Sequence, residues 1–203
     1  MFEPIWIYGA GGFGREVWAL LQTFEARYKI EGFIDDYTNK KLIYNLPVSR
    51  SLGSNRKCTI AIADPATRKK IVKDILPESV NVVSSDVQLN QVQLGTGNIV
   101  CKGNILTIDI EIGDFVIINL ACTIGHDVKI GNFVSIMPGV HISGNAVIED
   151  GVLIGTGAVI LPGVKIGAWS KIGAGAVVTK DVESGSVIVG VPGNCIKKIS
   201  YAE

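Results

Sequence analysis

Residues 112–136 read IGDFVIINLACTIGHDVKIGNFVSI, with a large aliphatic side chain at every sixth position: Ile112, Ile118, Ile124, Ile130 and Ile136. Extended both ways, from Leu94 to Val178, the row runs through fifteen consecutive positions, each Leu, Ile or Val. Two residues earlier in each repeat the side chain is small or β-branched, as at Val116, Cys122, Val128, Ala158 and Ala176. Gly or Asn often follows the aliphatic, as at Gly113, Asn119, Gly125 and Gly131. A period of six fits neither the helical period of about 3.6 nor simple strand alternation. Ordinary sandwich strands would carry turn signals every ~8–12 residues and would not hold one phase this long. Three six-residue sides make a triangular turn of 18, a parallel coil with the aliphatics stacked inside. Gly or Asn then tolerates unusual backbone angles near each corner.

The composition agrees with such a core. Of 203 residues, 47% are apolar but only 7% aromatic, so small aliphatic side chains do the filling. Lys plus Arg and Asp plus Glu both count 19, and a neutral molecule has no overall field to recruit nucleic acid or an anionic membrane. The start, Met1 to Pro4, lacks a signal-peptide pattern, and no run approaches the roughly 18 apolar residues of a membrane span. Cys58, Cys101, Cys122 and Cys195 show no CxxC spacing, so neither a metal knuckle nor a disulfide framework is expected. These features predict a cytoplasmic protein with reduced thiols, no bound metal and no membrane insertion.

Residues 1–83 have a different texture. A strand over Ile5–Tyr8 leads into Gly9-Ala10-Gly11-Gly12-Phe13-Gly14 and a helical stretch to about Glu25. A second strand, Ile30–Ile34, ends in Asp35-Asp36. A third, Cys58–Ala63, precedes Asp64-Pro65, a helix cap followed by its first residue, and the amphipathic run Arg68–Leu76. Val80–Val83 reads as a last strand. The chain thus divides into an α/β Rossmann-like domain, 1–83, and an all-β parallel solenoid, 84–203, with a short C-terminal cap. Gly9, Gly11 and Gly14 form GxGxxG at a strand-to-helix turn, where backbone and helix N-terminus can approach a diphosphate. A dinucleotide needs two mononucleotide-sized halves, and this domain has length for one. The loop, with Gly12 and Phe13, is therefore expected to hold a nucleoside diphosphate-sugar. Asp35 and Asp36 are candidates to accept hydrogen bonds from the ribose or base.

The repeats over about residues 88–195 resemble the hexapeptide-repeat acyltransferases, and the GAGGFG loop, the Asp-Asp strand end and the closing Val189-Gly190-Val191-Pro192 narrow the resemblance. The whole chain is similar to nucleotide-linked aminosugar N-acetyltransferases, such as those of the bacillosamine and perosamine pathways, and to sialic acid O-acetyltransferase-like proteins. That resemblance implies a left-handed parallel β-helix, a homotrimer with active sites between subunits, and acetyl-CoA as co-substrate. It also implies a UDP- or dTDP-linked 4-amino-4,6-dideoxy sugar as acceptor, in bacterial surface-glycan synthesis. Phe115, Phe133 and Trp169, read as apolar residues on the outer faces, would be covered in such a trimer.

Acetyl transfer to an amine needs a proton acceptor and donors for the developing oxyanion. The chain has two histidines, His126 and His141. By resemblance His126 is the general base and Asp127 its orienting carboxylate, while His141 reads as a surface or interface residue. Some relatives carry a second His nine positions after the base. Here that position is Ser135, whose hydroxyl is the candidate donor to the acetyl carbonyl. Gly144, one coil from His126, is expected to leave room for the acetyl group. Gly155 with Thr156 and Gly173 with Ala174, stacked one coil apart, are the candidate path of the pantetheine arm. Asn119 is taken as an exposed corner amide facing the sugar. Rival readings are a sugar or sialic acid O-acetyltransferase, a non-enzymatic nucleotide-binding scaffold, and a nicotinamide-binding protein. A γ-type carbonic anhydrase would need three histidine ligands, which two histidines do not supply.

Overall fold

The computed structural model describes residues 3–23, 28–51, 53, 56–75 and 77–199. The N-terminal region contains β1 (Glu3–Tyr8), α1 (Gly12–Leu21), β2 (Tyr28–Ile34), β3 (Leu42–Ile43), β4 (Leu46–Ser49), β5 (Lys57–Ile60), α2 (Pro65–Ile75) and β6 (Glu78–Ser79). Its sheet has the order β3-β4-β2-β1-β5-β6, parallel except for the β3–β4 hairpin. That hairpin turns at Tyr44 and Asn45, both at positive φ, as a two-residue turn matching strand twist requires. The expected cap of α2 is present: Asp64 Oδ1 accepts the Thr67 N–H at 2.8 Å. Of the expected helix ends, Glu25 and Leu76 lie outside the described residues.

The strand expected over Val80–Val83 belongs elsewhere. β6 closes the N-terminal sheet, whereas β7 (Val82–Val83) pairs in parallel with Ile99–Val100 as the first rung of the solenoid. The change of architecture thus falls between Ser79 and Val82, a few residues before position 83.

Beyond it the chain winds around three faces, and each strand pairs with the strand 18 residues on: Ile105↔Thr123, Thr123↔His141, His141↔Val159, Val159↔Val177. Ile118, Ile124, Ile136, Ile148 and Ile160 are buried in one continuous core with Val116, Cys122, Val128 and Ala158 between them. One face, whose outward residues include Glu111, Lys129 and Lys165, is charged, with Lys129–Glu111 and Lys165–Glu149 ion pairs at 2.9 and 2.6 Å. A second face is covered: Ile99 and Ile117 pack against Ile7, Val17, Leu20 and Phe33 of the N-terminal region. The third, which carries Ile105, Thr123, His141, Val159 and Val177, is open.

The corners obey two separate constraints. Glycines directly after the aliphatic row are required by the next coil: a Cβ on Gly125 would stand 2.5 Å from Gly144 N, and one on Gly155 2.6 Å from Ala174 N. The left-handed backbone expected at those glycines lies two residues further on, at Phe115, Ala121, Asp127, Phe133, Asn145 and Trp169.

Phe115, Phe133 and Trp169 are not the bare apolar surface the sequence suggested. They line the corner before the covered face, Phe115 and Phe133 stacked at 5.4 Å, and α2 lies along them. Lys69 of α2 sits 5.0 Å over the Trp169 ring. The rung between Phe133 and Trp169 is Gly151, where a Cβ would come within 2.3 Å of the indole. Gly151→Ala and Gly139→Ala both place an alanine at positive φ, a strain of roughly 1–2 kcal/mol. Only the first also meets a ring, because nothing lies within 4 Å of a Gly139 Cβ. Urea unfolding should show Gly151→Ala less stable than Gly139→Ala by a further ~1–3 kcal/mol, the usual scale of overpacking. Equal midpoints would contradict this packing.

Candidate active site

His126 follows the Thr123–Ile124 strand, on the corner between the open and charged faces. Its Nδ1 lies 2.7 Å from Asp127 Oδ2, and both side chains are more than half exposed. An ionised carboxylate only accepts, so the pair puts the ring proton on Nδ1 and leaves the Nε2 lone pair able to take a proton. Asp127 holds this position at φ 59, a conformation that Asp adopts more readily than most residues. The space over Gly144 is not vacant for an acetyl group as expected. A Cβ there would stand 2.6 Å from His126 Nε2, so the glycine makes room for the imidazole itself. His141, on the open face, has Nδ1 at 2.8 Å from the Thr123 hydroxyl one coil away.

Two expected residues are elsewhere engaged. Ser135 is fully buried beneath the N-terminal region, its hydroxyl donating to Ala63 O at 2.6 Å and accepting from Arg68 Nη2 at 2.9 Å. It points outward from the covered face, which explains why it is not available to an acetyl carbonyl. Asn119 is buried too, its Oδ1 accepting from the Leu120 N–H at 2.8 Å, and is not an exposed amide. Thr156 and Ala174 are exposed, but with Gly155 and Gly173 they stand on the corner between the covered and open faces. His126 and Gly144 occupy the other edge of the open face, so a single chain does not bring the two groups together. A groove of about 860 Å³ runs over the charged face, lined by Gln93, Glu111, Lys129, Glu149 and Trp169, and contains none of these residues.

The glycine loop separates into two kinds of position. Gly9 (φ 103) and Gly14 are packed against each other: a Cβ on Gly14 would fall 1.8 Å from Gly9 O. Gly11 and Gly12 are exposed, with open space where a side chain would be. α1 has no side-chain cap and no acidic residue in its first turn, so its leading N–H groups, those of Gly12 and Phe13 among them, face outward uncapped. Asp35 is committed to this loop rather than turned to a ligand. Its Oδ2 accepts from Ala10 N and its Oδ1 from Tyr37 N and Thr38 N, each at 2.9 Å. Burial pushes the Asp35 carboxyl up, but those three N–H donors and nearby Arg50 outweigh it, and its pKa is lowered. Asp36 is exposed and accepts the Tyr8 hydroxyl at 3.0 Å, while Arg50 Nη1 donates to its carbonyl at 2.5 Å. Burial first, then Asp36, raises the Tyr8 pKa to about 12. Sequence reading missed Tyr8, Arg50 and Arg68, for which no motif or period gives a signal. Burial also pushes the Cys58 and Cys101 thiols up to about 12, which removes them as nucleophiles. Among the described residues no helix is long and apolar enough to cross a membrane.

With this geometry in hand, comparison with known proteins is specific. The family model of the PglD N-terminal domain matches residues 4–75, and that of the bacterial transferase hexapeptide (six repeats) matches 145–180. WeeI from Acinetobacter baumannii AYE is 34% identical, with 97% of this chain and 100% of that one aligned and a TM-score of 0.86. The acetyltransferase domain of PglB from Neisseria gonorrhoeae FA1090, solved with acetyl coenzyme A, is 27% identical over 97% and 100% of the chains, TM-score 0.87. A variant of perosamine N-acetyltransferase from Caulobacter crescentus, solved with CoA and GDP-perosamine, is 25% identical over 96% and 97%, TM-score 0.87. Curated protein sequences give no match. The chain belongs to the hexapeptide-repeat acetyltransferases, a left-handed β-helix preceded by a PglD-type α/β domain. It is an acyltransferase.

The Asp35 contacts have a measurable pH signature. A carboxylate with a lowered folded pKa adds stability above its unfolded value, about 3.9, and that stability is lost as pH falls through the folded value. Asp35→Ala should cost about 1–3 kcal/mol near neutral pH, the scale of a charged hydrogen bond. The gap from wild type should close on acidification below pH ~4. A gap that persists at acid pH would show that the carboxylate charge is not the cause.

Proposed function

We propose that the protein is an acetyl-CoA-dependent N-acetyltransferase whose acceptor is the amine of a nucleotide-linked 4-amino-4,6-dideoxy sugar. The observation that carries this reading is the exposed His126–Asp127 pair on a hexapeptide coil, joined in one chain to an open glycine cradle. The leading N–H groups of α1 would hold the diphosphate, with Asp36 and Tyr8 beside the nucleoside. CoA supplies the acetyl thioester. The amine nitrogen attacks the thioester carbonyl carbon, and His126 Nε2 takes the proton the amine sheds. Asp127 stabilises the resulting imidazolium. Collapse of the tetrahedral adduct breaks the C–S bond, and the imidazolium returns the proton to the departing sulfur. The related structures, with acetyl-CoA in one and CoA with GDP-perosamine in another, support the same pair of substrates.

The site is proposed to lie between subunits of a homotrimer. The open face and its edges expose Ile105 (61%), Ile108, Leu120 and Leu161. A neighbouring copy on that face would cover them and carry its Gly155-Thr156 and Gly173-Ala174 corner to the His126 edge. Sedimentation should give a trimer for the wild type and a smaller species for Leu120→Glu. A wild-type monomer at micromolar concentration would remove the intersubunit site.

Thiol release from acetyl-CoA, measured against UDP-, dTDP- and GDP-linked aminosugars and their hydroxyl counterparts, tests the chemistry. Turnover should require the amine. His126→Ala should lower it by roughly 10²–10⁴ while calorimetric binding of the nucleotide is kept. Gly11→Val should raise KM for the sugar nucleotide without changing acetyl-CoA affinity. Near-normal turnover in His126→Ala, or no nucleotide binding at all, would overturn the reading.

A further inference from the structure

Among the described residues Arg68 is the largest fully buried side chain, 1% exposed, and it sits where the two regions meet. Its Nε donates to Phe115 O at 2.9 Å, and its Nη2 donates to Phe133 O at 2.8 Å, Val134 O at 3.1 Å and Ser135 Oγ at 2.9 Å. Its Nη1 donates to Ile62 O at 2.5 Å and Ala63 O at 3.2 Å. The partners are carbonyls and a hydroxyl, which accept from a guanidinium without neutralising it. Such donors are stronger than neutral ones and are fixed in a planar fork.

The position of these acceptors matters more than their number. Phe115 and Phe133 occupy equivalent corners one coil apart, and the chain between them is the coil that carries His126 and Asp127. Ile62 and Ala63 follow β5, and the preceding carbonyl, Ala61 O, lies 2.8 Å from where a Cβ would project from Gly9. Ala61 N in turn donates to Tyr8 O at 2.8 Å. One planar group therefore holds the base-bearing coil at both ends and grips the loop on which the glycine cradle rests. We infer that Arg68 is a positioning residue: it fixes where the nucleotide cradle sits against the solenoid, and so, in the intersubunit site proposed above, the span from the cradle to the His126 imidazole that a neighbouring copy presents. The inference rests on the nucleotide-sugar reading above, since a substrate tethered at one end by its diphosphate reacts only if its amine reaches the base. A misplacement of about 1 Å at a reacting centre costs on the order of 10²-fold in rate.

A tether that only stabilised the fold would, when broken, weaken binding and turnover together. A positioning tether acts on turnover alone. Arg68→Met keeps the stem and removes the fork, and Arg68→Lys keeps the charge with one donor point in place of the planar set. The solenoid, with its own core, is expected to remain folded in both, and far-UV circular dichroism checks this. The expected result for Arg68→Met is affinity for the nucleoside diphosphate and for acetyl-CoA close to wild type by calorimetry. Its kcat on the nucleotide-linked aminosugar should fall about 10–100-fold, and Arg68→Lys should recover part of the loss. Ser135→Ala, which removes one acceptor from the fork and is far milder, should show the same split to a smaller degree. Unchanged kcat in folded Arg68→Met, or a parallel fall in kcat and both affinities, overturns the inference. If Arg68→Met does not fold, Ser135→Ala and Arg68→Lys decide by the same split. A wild type that binds no nucleoside diphosphate and acetylates none of the aminosugars would instead sink the functional reading itself.

Discussion

The parallel register of residue i with residue i+18 is the constraint on which the rest of this molecule depends. It stacks Ile112, Ile130 and Ile148 into one interior row and forces Gly125 and Gly155 to yield to the backbone of the next coil. It sets Phe115, Phe133 and Trp169 in file along one edge. Parallel rungs follow at about 4.8 Å, so positions in the sequence become heights along an axis. Each coil touches only its neighbours, as in other repeat proteins. The solenoid is thus a rigid frame whose outward positions are free to differ from rung to rung, and its three faces have diverged accordingly into charged, covered and open surfaces.

The α/β domain reaches that frame through two different kinds of contact. Apolar packing of Ile7, Val17, Leu20 and Phe33 on Ile99, Cys101 and Ile117 supplies area but little direction. The Arg68 fork supplies direction, since its six hydrogen bonds admit one placement of the β5–α2 connection over two rungs. Burial pushes the Arg68 pKa down to about 9, partly offset by Asp64, and the guanidinium still keeps its proton at neutral pH.

What could be read in the sequence was whatever repeats. The coil, its period and the outward corner of His126 follow from a fifteen-fold row whose period of six fits neither a helix nor an alternating strand. The glycine loop and the Asp64 cap were legible because each is a local motif with a local cause. The rest depended on which face is covered. Ser135 and Asn119 look like solvent-facing polar residues at the level of pattern, and only the docked domain over the one and the corner packing around the other bury them. Arg68 reads as one more cation on an amphipathic helix, because burial of a guanidinium by carbonyls from distant residues leaves no trace in composition. The corner glycines were recognised, but the cause lay in the adjacent coil rather than in their own torsions.

Asp127 stands at one of the left-handed corner positions, which elsewhere hold Gln, Asp, Phe, Ala, Asn, Trp and Gly. The frame there tolerates Asp on conformational grounds alone. The residue before it already points outward at a corner, so an imidazole placed at 126 meets a carboxylate that the backbone was ready to accept. Every coil offers the same adjacent pair of positions. A repeat of this kind can therefore gain, lose or relocate a base and its partner by two neighbouring substitutions, with the interior untouched. Catalytic novelty in such a scaffold is cheap in folding terms, and the pressure that holds a site in place falls on the distance to the domain that presents the substrate.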